Sequence, residues 1–317
     1  MILGARFAYV WDRFDHAWHG KGTTTDIFFE YAFDDLSMIC ALREAYVYDR
    51  PIHSWVGKGT TADIMPPTGL SSGGVAVICA GTATYTYDMM LHTWMGKGTP
   101  SAVSKLVIGR DLALIASASG SWVYAYDTHD HSWHGKGAPA VVVGLGGGYP
   151  WGIAIVYGSN YAYAYDTSDH AWHGKSSSGT IADGSSGHQL GLIYGSSFAY
   201  AYDRATRKWM GKGTPTPITK GRVSWENGDL AYIYGGNYVY VTVSGSGMWY
   251  GKGPSETING AIAQDDLCLI VCSNTAYVFD ASDITYHGKG LTGIVFGGAT
   301  PSFAYIHNLK TVHIYQT

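Results

Sequence analysis

Large aromatic residues alternate with small apolar ones in short stretches along the whole chain. In residues 161–165 and again in residues 122–126, every second side chain is aromatic and the others are Ala or Val. Side chains of a β-strand point alternately to opposite faces, so this pattern predicts strands with one bulky and one small apolar face. Neither face suits water. We therefore expect small sheets that stack on copies of themselves.

A unit of about 38 residues carries this pattern eight times. We define its anchor as the aromatic residue that stands two positions before a Gly-Lys pair, and successive anchors are 37 to 40 residues apart. A tyrosine stands nine residues before every anchor, and an aspartate stands six before it in all repeats except the seventh. The anchors are Trp18, Trp55, Trp94, Trp133, Trp172, Trp209, Trp249 and Tyr286.

Each repeat divides into four strands, as the fifth repeat illustrates. A glycine-rich strand near residues 141–143 leads to an apolar strand over 152–157, the aromatic strand 161–165, a turn over 166–169 and a strand that contains the anchor. A four-residue turn would place Tyr163 opposite Trp172. Four short strands in a repeat of roughly 40 residues are typical of a β-propeller blade.

The repeat also resembles that of the kelch-repeat propellers, in which an apolar strand ends in Gly-Gly and precedes a Tyr-x-Tyr-Asp strand and a tryptophan. Residues 233–236, Ile-Tyr-Gly-Gly, reproduce the diglycine, and residues 157–159 and 194–196 reproduce half of it. Both glycines are missing from the second and eighth repeats, and the Gly-Lys-Gly tail is not a kelch feature. The resemblance implies a divergent, kelch-like propeller.

The strand count leaves the number of blades open. The chain begins in the second strand of a repeat and ends after three strands of a ninth, which predicts 34 strands where eight four-stranded blades need 32. We expect one all-β domain over residues 1–317, an eight-bladed propeller that closes by pairing an N-terminal strand with C-terminal ones. Nine blades and an open stack are the alternatives.

Composition narrows the classes of function. The net charge is −4 and only 14% of residues are charged, which argues against nucleic acid as a partner. No apolar run reaches the roughly 18 residues of a membrane span, and the N-terminus lacks a signal-peptide pattern. We therefore expect no membrane insertion, and a location in the cytoplasm or a virion, or release by a non-classical route. The four scattered cysteines are expected to be buried free thiols.

Repetition also argues against an enzyme, because it produces equivalent positions instead of one active site. The chain contains no Gly-x-Ser-x-Gly, P-loop or His-Glu-x-x-His motif. We expect no catalysis and no cofactor. Histidine pairs such as His16 and His19 are three residues apart, which sends their side chains to opposite faces of a strand, so we also expect no bound metal.

The repeated side chains each allow two interpretations. The aspartate that starts a turn accepts backbone N–H groups, and the tryptophan is a packing residue or a platform for a sugar ring. The repeated lysine either lies along an aromatic ring with its ammonium paired to an aspartate, or belongs to a ring of charge that attracts an anion. Both glycines of the tail are expected to allow close backbone approach or positive φ.

A histidine two residues before the anchor is present only in the first five repeats, which suggests a ligand-binding role that later repeats have lost. Each predicted site combines the aspartate, this histidine and the tryptophan of one repeat. The fifteen candidates are Asp12, His16, Trp18, Asp49, His53, Trp55, Asp88, His92, Trp94, Asp127, His131, Trp133, Asp166, His170 and Trp172.

Two functions are compatible with these residues. The first is a multivalent, lectin-like propeller with up to five weak carbohydrate sites, whose repetition supplies avidity. The second is a structural or protein-interaction propeller, such as a virion or surface scaffold, that binds no small molecule. The partner is accordingly a carbohydrate or a protein surface, and the sequence leaves the oligomeric state open.

Overall fold

The computed structural model describes residues 1–33, 35–70, 74–117, 120–146, 152–224, 229–291, 293, 296–308 and 310–316. The chain divides into two compact units, Met1–Val142 and Val143–Thr317. Within the described residues the strands number 34 and form nine antiparallel sheets, seven of four strands and two of three. This is the strand count that the sequence predicts, and the nine sheets agree with the alternative count of nine blades.

The first unit contains four sheets, in which neighbouring strands follow one another along the chain. Its strands are β1 (Ile2–Leu3), β2 (Phe7–Asp12) and β3 (Ala17–Gly22) in the first sheet; β4 (Phe29–Phe33), β5 (Leu36–Ala41), β6 (Glu44–Asp49) and β7 (Ser54–Gly59) in the second; β8 (Ile64–Leu70), β9 (Val75–Ala80), β10 (Ala83–Asp88) and β11 (Thr93–Gly98) in the third; and β12 (Val103–Ile108), β13 (Leu112–Ser117), β14 (Trp122–Asp127) and β15 (Ser132–Gly137) in the fourth. A single 3₁₀ turn, Arg50–Ile52, is the only helical element of these described residues.

The second unit contains five sheets of the same kind. Its strands are β16 (Gly144–Gly146), β17 (Ile153–Tyr157), β18 (Tyr161–Asp166) and β19 (Ala171–Ser176) in the fifth sheet; β20 (Ile181–Ser186), β21 (Leu190–Gly195), β22 (Phe198–Asp203) and β23 (Lys208–Gly213) in the sixth; β24 (Lys220–Val223), β25 (Leu230–Gly235), β26 (Tyr238–Val243) and β27 (Trp249–Lys252) in the seventh; β28 (Ile258–Gln264), β29 (Leu267–Cys272), β30 (Thr275–Asp280) and β31 (Thr285–Gly290) in the eighth; and β32 (Phe296–Ala299), β33 (Phe303–His307) and β34 (Val312–Gln316) in the ninth.

The hydrophobic cores lie between consecutive sheets of a unit. One core joins Met38 and Val47 of the second sheet to Ile78 and Tyr87 of the third, and the same kind of core lies between the sixth and seventh sheets. Strands such as β9 are buried along their whole length because they run through the middle of a sheet that is covered on both faces. Stacked four-stranded meanders of this kind define the β-propeller fold class. Closure into a ring and the single domain over 1–317 stay predictions.

The register of the anchor hairpin differs from the prediction. Tyr165, not Tyr163, lies opposite Trp172, and Tyr163 lies opposite Gly174. The reason is that the four-residue loop spans 167–170 and Asp166 still pairs with Ala171. The first strand of this repeat also begins later than expected, at Gly144 instead of near residue 141.

Candidate functional site

The residue two positions before each anchor has the left-handed backbone conformation in all eight repeats. Seven of these residues are not glycine and have φ between 49° and 58°, and Gly247 has φ of 68°. Histidine is among the residues that tolerate this conformation, whereas β-branched Ile284, with φ of 58°, is strained there. The turn therefore imposes a backbone requirement at this position that the five histidines alone do not reveal.

The repeated aspartate is buried and uses one carboxylate oxygen within its own turn. Oδ1 of Asp12 accepts the backbone N–H of Phe14 at 2.8 Å, and Oδ1 of Asp127 accepts that of His129 at 2.9 Å. The same bond forms at Asp88, Asp166, Asp203 and Asp280. Asp49 is the exception, because the residue two positions later is Pro51, which has no N–H, and its Oδ1 has no hydrogen-bond partner.

The second oxygen of the aspartate bonds to the next repeat. Oδ2 of Asp12 accepts hydrogen bonds from the hydroxyl of Tyr48 at 2.9 Å and from Nδ1 of His53 at 2.8 Å. The same pair of bonds joins Asp49 to Tyr87 (2.5 Å) and His92 (2.7 Å), and Asp88 to Tyr126 (2.7 Å) and His131 (2.7 Å). Each of these histidines thus lies with the aspartate of the preceding repeat.

This arrangement corrects the grouping that the sequence suggests. Asp12 lies with His53 and not with His16, and no hydrogen bond or ion pair of His16 is present among the described residues. His170 occupies the left-handed position of its turn, and Asp166 accepts a hydrogen bond from Tyr202 at 3.0 Å and forms an ion pair with Nε of Arg204 at 3.2 Å. In four of the five predicted sites the histidine is therefore not bonded to the aspartate of its own repeat, and ligand binding at these sites stays a prediction.

The anchor tryptophans pack between sheets. The Trp55 and Trp94 rings lie 5.5 and 5.4 Å from the Tyr48 and Tyr87 rings of their own sheets. Nε1 of Trp55 donates to the carbonyl of His19 at 3.3 Å, and Nε1 of Trp94 donates to that of Val56 at 3.3 Å, each in the preceding repeat.

Other anchors follow the same arrangement. Trp133 and Trp172 lie 5.2 and 5.1 Å from Tyr126 and Tyr165. Nε1 of Trp133, unlike that of Trp94, is buried without a hydrogen-bond partner. These rings are half-buried packing residues, which is the first of the two interpretations.

The repeated lysine lies over the tyrosine of the next repeat. The ammonium of Lys21 is 4.0 Å from the ring centroid of Tyr46, and that of Lys58 is 4.2 Å from the ring of Tyr85. Lys97, Lys175, Lys212 and Lys252 make the same contact at 4.0 to 5.0 Å. The expected aspartate partner is not found for these six lysines in the part of the chain that the structure describes, so the ring itself is the contact.

The first glycine of the Gly-Lys-Gly tail lies against the same tyrosine ring. A Cβ atom on Gly57 would be 2.7 Å from Cε1 of Tyr46, the residue opposite it in the sheet, whereas a Cβ on Gly59 would have nothing within 4 Å. An aromatic ring that covers a cross-strand glycine is a known way to pin strand register. Close approach thus explains the first glycine of the tail but not the second, contrary to the expectation for both.

Sequence reasoning noted a second set of histidines, one residue after the anchor, but assigned them no partner. Nε2 of His19 bonds to Asp15 at 2.7 Å, and the His19 ring lies 4.9 Å from the ring of Tyr48. The recurrent Asp-x-x-x-His spacing could have revealed their partners. The same bond forms at Asp130/His134, Asp169/His173 and Asp283/His287.

The hydrogen bonds to the repeated aspartates determine the direction in which the pKa of the carboxyl group shifts. Burial acts to raise the pKa of Asp12, but the hydrogen bonds from Phe14, His53 and Tyr48 outweigh it and lower the pKa from 3.8 to about 2. The pKa of Asp280 is lowered as well, because bonds from Ser282 and Tyr315 outweigh burial.

Three clusters bring two carboxylates and one imidazole together within a unit. Their oxygen and nitrogen ligand atoms lie within 4.8 Å of one another, which would allow a cation to be held. The bonds described above already pair these groups with each other and with tyrosines, and the expectation of no metal stays a prediction. The clusters are Asp12/Asp15/His53, Asp166/Asp169/His173 and Asp280/Asp283/His287.

The first sheet presents an open aromatic face. Phe7, Tyr9, Trp11 and Trp18 are 59%, 45%, 45% and 52% exposed, and the rings of Trp11 and Trp18 are 5.5 Å apart. In the other sheets of this unit a lysine of the preceding sheet covers the tyrosine at this position, and in the second and third sheets a carbonyl of the preceding sheet accepts the N–H of the tryptophan. In the first sheet the corresponding Tyr9 and Trp18 are exposed to solvent instead.

No helix of the described residues has the length and hydropathy to span a membrane.

Comparisons with known proteins add little to this picture. No protein-family model and no curated protein matches the chain. Among solved structures it is similar to a chain of the mitotic checkpoint complex (14% identity, 82% of this chain and 86% of that chain, TM-score 0.38), to BamB from Moraxella catarrhalis (11%, 91%, 96%, 0.38) and to the β-propeller domain of Cps50 (Swd1) from Myceliophteria thermophila (10%, 80%, 98%, 0.36). At these identities and TM-scores the similarity supports no inference about function.

Proposed function

We propose that the chain is a non-enzymatic scaffold of propeller blades that binds a protein partner. The observation that carries this proposal is the bonding of Asp12, Asp49 and Asp88 to the next repeat, because it uses Asp and His side chains that a repeated ligand site would need. Asp12, Asp49 and Asp88 have fully buried side chains, and their histidine partners are only partly exposed.

The surface that this arrangement leaves for a partner is the aromatic face of the first sheet. Contiguous exposed aromatic residues are common at protein interfaces, where Trp and Tyr contribute much of the binding energy. A photo-cross-linking amino acid in place of Trp18 should form protein adducts, whereas the same group in place of Met90, an exposed residue in the turn between β10 and β11, should not. Equal adducts at both positions would count against the proposal.

The repeated clusters should have a structural role only. We expect His92→Ala to lower the melting temperature, since Asp49 then loses one of its two partners on Oδ2, without changing saccharide binding. Titration of the chain with glycans selected on an array gives the readout. If the unmodified chain binds several saccharides and each of His92→Ala and His131→Ala lowers the stoichiometry by about one, the lectin-like function is supported instead.

Saccharide binding at the first sheet is a second candidate. The observation in its favour is the exposed pair Trp11 and Trp18, since stacked sugars favour open aromatic faces. This candidate predicts a stoichiometry of one, abolished by Trp18→Ala and unaffected by Trp94→Ala if the latter stays folded. Absence of binding by the unmodified chain would dismiss it.

A further inference from the structure

A cavity of about 250 Å³ lies between the eighth and ninth sheets. Its lining includes aliphatic residues, among them Leu269, Val278 and Ile306, as well as polar residues of both sheets. Ligand pockets usually measure about 300–1,000 Å³, so this cavity suits a single ring system better than an oligosaccharide.

The lining of the cavity also includes Tyr315, whose position in the ninth sheet corresponds to that of Tyr48 in the second sheet. The hydroxyl of Tyr315 donates to Oδ2 of Asp280 at 2.9 Å, just as that of Tyr48 donates to Oδ2 of Asp12 at 2.9 Å. The ring of His287 lies 4.9 Å from that of Tyr315. Strand β34 therefore occupies the position of the aromatic strand of a repeat.

In other sheets an anchor tryptophan fills the corresponding place. Trp94 lies opposite Tyr87, with its ring 5.4 Å away, and its Nε1 donates to the carbonyl of Val56. The counterparts of Tyr87 and Val56 at the ninth sheet are Tyr315 and His287, and both line the cavity. The cavity thus has the contacts of an anchor socket.

The strand beside the socket can accept a further strand. Among the described residues β34 pairs with β33 on one side only, whereas β6, β10 and β14 pair on both sides. Its residues Val312 and Ile314 are 64% and 66% exposed. An open strand edge offers backbone N–H and C=O groups to an incoming extended segment.

A lysine side chain also lines the cavity. Lys289 is exposed, while the lysines at this position in the other seven repeats are half-buried. The residue two positions before Tyr315 is His313, where the other sheets have the tyrosine that the lysine covers. By this comparison Lys289 stands next to His313, and both side chains line the cavity, where an ammonium group favours an aromatic ligand.

We propose that this cavity and the edge of β34 bind an extended segment of a partner protein that carries the pattern Trp-x-Gly. The indole enters the socket, its N–H donates to the carbonyl of His287, its face packs on Tyr315, and the glycine lets the segment approach β34 closely. The proposal goes beyond the proposed function, because it adds a second protein-binding site, at the ninth sheet, and gives the chemistry of its partner. Its test measures binding at the ninth sheet and does not depend on cross-linking at position 18. Either proposal can therefore fail while the other succeeds.

The probe is a fluorescein-labelled peptide with the sequence of residues 130–138, which contains Trp-His-Gly-Lys. Fluorescence anisotropy of this peptide is measured against the full chain. We expect saturable binding, weakened about tenfold or more when the peptide tryptophan is replaced by alanine, because the indole supplies the contacts with the socket. Equal binding of the two peptides, or no binding of either, would overturn the proposal.

Variants of the protein locate the bound peptide. His313→Trp should fill the cavity and weaken peptide binding about tenfold or more, with an unchanged or higher melting temperature. Lys289→Ala should weaken binding a few-fold. The matched control is Lys252→Ala, whose lysine lies on the Tyr277 ring in the preceding junction, and it should bind as the unmodified chain does. Unchanged binding by His313→Trp in a folded protein would also refute the site.

Discussion

The repeated aspartate has a different role for each of its oxygens. In Asp12 one oxygen fixes the turn of its own hairpin and the other receives two hydrogen bonds from the following repeat. A carboxylate that accepts three bonds is stabilised in its ionised form even though it is buried. The same side chain therefore sets a local turn and a contact between sheets.

Acid should destabilise the chain through these carboxylates. The pKa of Asp12 in the folded chain is about 2, below its usual 3.8, so its bonds contribute stability above pH 3.8 that is lost as the pH falls towards 2. We expect the free energy of unfolding, measured by urea titration at several pH values, to fall over this range. Asp12→Asn should be less stable at pH 6 and should show a shallower fall. A slope identical to that of the unmodified chain would contradict this role.

Two anchors of the same residue type should respond differently to truncation. Trp94 is half-buried and bonded to the preceding repeat, so Trp94→Ala should cost about 3–5 kcal/mol of unfolding free energy. Trp18 is 52% exposed, and Trp18→Ala should cost less than about 1 kcal/mol. Denaturant unfolding of both variants checks the contrast. Similar losses would mean that Trp18 is covered in solution.

At the scale of the strand and hairpin, much of the structure follows from sequence. The alternation of aromatic and small residues and the repeat length predict the strand count and most strand positions, because the period of side chains along a strand is fixed. The register is harder, since moving the loop by one residue changes every cross-strand pair. Tyr163 therefore lies opposite Gly174 and not opposite Trp172.

The partners of the candidate site could not be predicted for a different reason. Periodicity makes Asp12 to His16 and Asp12 to His53 equally regular, and only the stacking of sheets selects the second. The left-handed turn was likewise hidden, because histidine accepts this conformation and so masks the requirement. Gly247, at the same position of the seventh repeat, was the sequence signal that pointed to it.

The cross-strand pair of tyrosine and glycine gives a prediction with a control in the same strand. A methyl group on Gly57 would clash with the Tyr46 ring, whose shift would disturb its contact with Lys21, whereas a methyl group on Gly59 meets open space. We expect Gly57→Ala to lower the free energy of unfolding by about 1–3 kcal/mol, typical of overpacking, and Gly59→Ala to leave it nearly unchanged. Thermal unfolding of the two variants distinguishes them, and equal shifts would show that the ring does not depend on the glycine.

At the scale of the whole molecule, both units bury their cysteines between sheets. The four thiols are free and buried, as the sequence predicts. Burial raises the pKa of Cys40 to about 12 and that of Cys79 to about 11. Such thiols are poor nucleophiles near neutral pH because the thiolate is the reactive form.

Thiol labelling therefore reports on each unit. We expect Cys40 and Cys79 of the first unit, and Cys268 and Cys272 of the second, to resist iodoacetamide at pH 8 and to react once urea unfolds their own unit. Mass spectrometry of the labelled peptides gives the two unfolding transitions separately. Fast labelling without urea would show that the cores open in the native state.

The hydrogen bonds between repeats have a direction, because the acceptor is the aspartate of one repeat and the donors are the tyrosine and histidine of the next. Among the first four repeats, gain or loss of one whole repeat of about 38 residues leaves every remaining aspartate with a tyrosine and a histidine donor in the repeat that follows. A deletion that ends within a repeat, by contrast, leaves an aspartate without its donors or a histidine without its carboxylate. Gene duplication and deletion in this chain should therefore be tolerated in complete repeats, and related chains should differ in length by multiples of that unit.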